Sequence, residues 1–163
     1  MKKFIGIIFA TMLSSQASAA FIQGSIGFGG EFERNGDSYT FSNVEVDNAS
    51  GDLASAGIAD DDALTVGGFD LGAFTPTVLW AANGFSYTLN TITVLWDNPN
   101  IATIITGSGT LSGNGFQDTS FALTFSSNAG GTFSASAVPA PGTAALMLLG
   151  LAGATLRKRQ LTV

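Results

Sequence analysis

Between Phe21 and Ala137, apolar and polar residues alternate in short runs, and each run stops at Gly, Asn or Asp. A period of two places apolar side chains on one face of an extended strand. No stretch of this body carries the three-to-four spacing of an amphipathic helix. Residues 119–126 are the clearest case: Phe121, Leu123 and Phe125 on one face, Ser120, Ala122, Thr124 and Ser126 on the other. Residues 77–82 and 85–96 flank Asn83-Gly84, the strongest two-residue hairpin signal. In the second of these strands Phe85, Tyr87 and Leu89 share one parity, and Ile92, Val94 and Trp96 take the other. A strand cannot change faces without an extra residue, so the pattern predicts a bulge near Asn90-Thr91. The same reasoning predicts one at Ser42-Asn43, where Tyr39 and Phe41 give way to Val44 and Val46.

Further strands are expected at 21–28, 38–46, 63–74, 101–106 and 131–137. Between them lie a charged turn over 31–37 and a turn over 97–100. Residues 47–62 are irregular and read as loop with a weak strand over 52–58. Eight to ten short strands in this length predict an all-β fold, a single antiparallel β-sandwich.

The two ends of the chain break the pattern. Lys2 and Lys3 precede a ten-residue, largely apolar region (4–13) and a small, polar stretch with Ala17-Ser18-Ala19. That order predicts a secretory signal peptide over 1–19, cut before Ala20. At the other end, Val138-Pro139-Ala140-Pro141-Gly142 is followed by an apolar run over 144–156 and then by Arg157, Lys158 and Arg159. As a helix the run is roughly 20 Å long, short against a bilayer core of about 30 Å. The three basic residues are expected to stop transfer and stay cytoplasmic.

The ordered combination over 138–160 resembles the PEP-CTERM sorting signal of Gram-negative bacteria, with Ala140 where the family's usual Val-Pro-Glu-Pro has Glu. The resemblance implies a C-terminal transmembrane helix over 144–156 and recognition by an exosortase, a membrane-embedded, cysteine protease-like transpeptidase. It also implies a route from an inner-membrane anchored precursor to the cell surface or the extracellular polysaccharide. The chain then divides into a signal peptide (1–19), an acidic body (20–137) and the sorting signal (138–160). Residues 85–137 resemble, on composition, the β-rich passengers that precede such signals.

Charge sharpens this division. Five of the six basic residues lie in the two end segments, and all twelve acidic residues lie between Glu31 and Asp118. The body has Arg34 against twelve acids, a net charge of −11. Such a body repels nucleic acid and anionic lipid. The chain has no Cys and no His, so thiol nucleophiles, His-based acid–base catalysis and disulfide stapling are excluded. Asp60, Asp61 and Asp62, with Asp47 and Asp52 upstream, are candidates for a calcium site, and weak ones: their spacing does not fit a calcium loop, and adjacent strand residues point opposite ways. Glu31, Glu33, Glu45, Asp97 and Asp118 are available as paired carboxylates, and nothing in the sequence singles out a pair. Trp80, Tyr87 and Trp96 stand among β-branched neighbours and read as core. No cofactor is expected. With these exclusions, the resemblance implies a non-enzymatic surface or matrix protein, with a carbohydrate-binding or carbohydrate-active module as the alternative.

Overall fold

The computed structural model describes residues 19–140. The expected signal-peptide helix and the expected transmembrane helix over 144–156 lie outside the described residues. Among the described residues no helix is long and apolar enough to cross a membrane.

Eight strands follow in chain order: β1 (Ile26–Asn35), β2 (Ser38–Ala49), β3 (Phe69–Asp70), β4 (Thr77–Ala82), β5 (Phe85–Asn98), β6 (Ala102–Gly113), β7 (Thr119–Asn128) and β8 (Thr132–Pro139). One short helix, α1 (Gly51–Ser55), sits between β2 and β3. The fold is all-β and antiparallel, as the alternation predicts. The strands expected to divide between two sheets instead form one, in the order β3-β2-β1-β8-β7-β6-β5-β4. This sheet coils until its halves face each other. Tyr39 of β2 meets Phe125 of β7 edge-on at 5.9 Å between ring centroids, although β1 and β8 separate those strands in the sheet.

The strip over 61–67 nearly closes the barrel. Ala63 pairs with Glu45 of β2, Val66 pairs with Trp80 of β4, and the Gly67 N–H donates to the Leu79 carbonyl at 2.6 Å. It stands where a ninth strand would, between the two ends of the sheet.

Local sequence explains most of the corners. Asn83 and Gly84 both take positive φ, +45° and +83°, the type I′ geometry whose twist matches the strands it joins. The register shifts between Gly29 and Glu31 opposite residues 42–45, and between Leu89 and Thr91. These are the two expected bulges. Two expectations are corrected. The charged stretch 31–35 is strand, not turn: β1 runs to Asn35 because Phe32 packs against the core while Glu31 and Glu33 face out. The weak strand over 52–58 is instead α1 and its exit. Its Leu53 is fully buried, and its Asp52 carboxylate accepts the Gln23 N–H at 2.7 Å.

The interior is aromatic along one half. Phe32, Tyr39, Phe41, Phe69, Phe125 and Phe133 form a continuous cluster with neighbouring ring centroids 4.8–6.5 Å apart. Trp80 and Tyr87 stack at 5.9 Å in the other half. The barrel therefore has a base, where β7 begins and β8 ends, and a top, where β1 ends and β6 begins.

Candidate functional site

The base carries both connections to the end segments. The Gln117 N–H donates to the Ala20 carbonyl at 2.9 Å, Phe21 pairs with Gln117, and the Ile22 N–H donates to Thr119 Oγ1 at 2.9 Å. Three residues further on, Ser120 accepts the Ala140 N–H at 2.8 Å. The two ends of the described chain therefore leave the barrel side by side, next to the start of β7.

Of the residues expected to form a sorting motif, Val138 and Pro139 belong to β8, two residues past the expected end of the body. Val138 pairs with Ala122, and Pro139 with Phe121. The pairing of β1 with β8 ends earlier, at Ile26 and Ala137. Hence residues 138–140 are held by β7 along one edge only. This is why a proline is tolerated. The Ala140 bond to Ser120 turns the backbone of residue 140 toward β7, so the alternate residue 139 turns away from it, where no N–H is needed. Pro141, Gly142, Arg157, Lys158 and Arg159 lie outside the described residues.

The acidic candidates are dispersed. Asp60, Asp61 and Asp62 are exposed. The Asp62 carboxylate accepts the Ala59 N–H at 2.8 Å, closing a turn. The Asp61 N–H donates to Val46, anchoring the strip beside β2. Among the described residues no group of three or more ligating side chains is arranged to hold a metal. Of the carboxylates considered for catalysis, Glu31 and Glu45 line one shallow groove with Asp47, and Glu31 accepts Asn43 Nδ2 at 2.7 Å. Asp97 is committed elsewhere.

That commitment closes the top. Arg34 at the end of β1 binds the Asp97 carboxylate on β5 through both terminal nitrogens, one bond measuring 2.9 Å. Thr103 donates to Asp97 at 2.9 Å, and Tyr39 donates to Thr103 at 3.0 Å. The guanidinium also lies 5.2 Å from the Tyr39 ring centroid. Arg34 holds the Asp97 carboxyl below the usual carboxylate range, with Thr103 adding to the effect against a partial burial that opposes it. Asp97 in turn raises the Arg34 pKa. A cleft of about 500 Å³ opens beside this cluster, bordered by Phe32, Pro99 and Asn128. Sequence spacing gives no hint of a pair 63 residues apart. The only signal is that Arg34 is the single cation of an acidic body.

Trp96 departs from the core reading. Trp80 is 1% exposed and Tyr87 fully buried, but Trp96 is 52% exposed, with Leu95 at 61% and Ile101 at 60%. The cause is a further bulge. β5 shifts register between Val94 and Trp96, so Trp96 lands on the outer face of the sheet, not on the face where Val94 stands opposite the buried Ile105. Trp96 stands opposite Ile104 in a cross-strand row that continues through Ser126 and Ser134. The next row holds Thr93, Thr106, Thr124 and Ser136. Neither row contains a charge, whereas Glu31, Glu45 and Asp47 lie around β1 and β2. Comparison with family models, with curated proteins and with solved structures finds no match.

Proposed function

We propose that the chain is an exported, non-enzymatic surface or matrix protein sorted by its C-terminal signal. The run over 144–156 holds the precursor in the inner membrane, with Arg157, Lys158 and Arg159 inside. An exosortase-type enzyme then cuts between the Pro-rich motif and the run, releasing the barrel to the cell surface or the extracellular polysaccharide. The observation that carries this reading is the exit of both ends at the base, through Ala20 and Ala140. A signal peptide removed before Ala20 leaves the bond between Gln117 and Ala20 intact, and a cut after Gly142 leaves β8 intact. A tether at the base points the top, with Trp96 near the end of β5, away from the membrane. The non-enzymatic reading is supported by Asp97, whose charge is spent on Arg34. The intact mass of the released protein is expected to start at Ala20 and end before Ala144. Full-length chain carrying Arg157–Arg159 in the released fraction overturns this reading.

A second reading, a glycan-binding body with the same address, is favoured by one observation: Trp96 lies exposed at the end of an uncharged, hydroxyl-bearing row, where an aromatic face can stack on a sugar ring. On that reading Trp96→Ala abolishes specific, saturable binding on a glycan array with the circular dichroism unchanged. On the first reading the wild-type protein shows no such binding.

A further inference from the structure

We infer that processing of the sorting signal is coupled to the opening of the last rungs of β8; this rests on the reading of residues 138–160 as such a signal. The first three residues of the motif are at once an address and a piece of sheet. Val138 and Pro139 pair with Ala122 and Phe121, and the Ala140 N–H is bound to Ser120. Just before them Ala137 is fully buried and paired on both sides, to Ile26 and to Leu123. The motif is therefore pinned to the barrel wall at its first residue, with no slack before it.

Nor is there slack after it. Three residues, Pro141 to Thr143, separate Ala140 from the apolar run. Even fully extended, the path from Ala140 to Ala144 spans at most about 14 Å. A membrane-embedded enzyme must enclose an extended substrate within that reach while β7 covers one edge of Val138–Ala140. Detaching 138–140 from β7 removes the obstruction and disturbs little of the core: Val138 already faces solvent, Ala137 stays in place, and only Pro139, opposite the buried Phe121, stands on the inner face. Openings of this kind are local and cost far less than unfolding, and cleavage through them follows the population of the open form. The enzyme thus acts on chains whose last rungs are not yet zipped or have transiently opened. The barrel itself sets how much of its own signal can be read.

The chain has no cysteine, which permits a direct test on the full-length protein in cells that process PEP-CTERM proteins. Ala122 and Val138 are directly paired, with the Cα separation of a hydrogen-bonded antiparallel pair, about 5.5 Å, within disulfide range. The double variant Ala122→Cys with Val138→Cys is compared oxidised and reduced, beside Val138→Cys alone. The oxidised staple is expected to be processed about tenfold more slowly or not at all, the reduced form at the rate of the single variant. A four-residue Gly-Ser insertion after Ala137, which frees the motif, is expected to be processed faster than wild type. Equal processing of oxidised and reduced staple overturns the coupling and leaves the sorting reading intact. Absence of processing in the wild-type chain overturns both.

Discussion

Tyr39→Ala is expected to cost about 4 kcal/mol of stability, in the range for deleting a fully buried aromatic ring, and to lower the melting temperature by about 15 °C. Tyr39 is 1% exposed and reaches across the interior of the barrel. Its ring stacks on Phe32 and Phe69 at 5.4 Å each and meets Phe125 edge-on. Its hydroxyl reaches Thr103, so β2 is joined to β6 through the interior. Removing the ring leaves a cavity where β1, β2, β3 and β7 converge, and β3 has only two residues with which to hold its place. Tyr39→Phe keeps the ring and loses one hydrogen bond, a cost of about 1 kcal/mol. Thermal melts of the two variants separate packing from hydrogen bonding. A loss for Tyr39→Ala no larger than that for Tyr39→Phe would show that the aromatic cluster does not hold the sheet in its coil.

How far the sequence anticipates this molecule depends on the range of the forces involved. The Asn83-Gly84 hairpin is legible because its two residues themselves adopt the positive φ that the turn needs. The bulges near Ser42-Asn43 and Asn90-Thr91 are legible because a change of parity has no other cheap explanation. The strand over 31–35 is hidden because its outward face is charged and its inward residues, Phe32 and Arg34, do not look alike. Helix α1 is hidden because five residues with one buried Leu53 carry no period. The continuity of the sheet is a matter of which strand edges meet, and β1 finds β8 across almost the whole body between the two end segments. Trp96 is misread for a related reason. Its neighbours are those of a core strand, and its exposure follows from a bulge between Val94 and Trp96 that turns it to the outer face. At the base, Pro139 and Pro141 look like punctuation between a domain and a tail. Only the register of β8 shows that the punctuation begins inside the sheet.

Arg34→Met is expected to cost about 2 kcal/mol, the scale of a charge-assisted, two-point hydrogen bond at a partly solvated site. The melting temperature should fall by about 8 °C. Methionine retains most of the apolar stem over Tyr39, so the loss reports the guanidinium rather than the packing. The pH dependence follows from the depressed pKa of Asp97. A carboxyl held lower in the folded state than in the unfolded one stabilises fully above its unfolded value, near 3.9. That stability is lost as pH falls through the folded value. The other acids protonate in the same range, but they are common to wild type and Asp97→Asn and cancel in the difference between them. The difference measured by urea unfolding should therefore be constant from pH 7 to about pH 5, and shrink below pH 4. A difference that persists undiminished at pH 2.5 would assign the effect to the shape of the side chain instead of its charge. Because Arg34 and Asp97 join β1 to β5 at the top, acid loosens the end opposite the base. The rungs of β8 that carry Val138, Pro139 and Ala140 rest on backbone pairing with β7 and contain no titrating group, so their opening should be insensitive to the same change in pH.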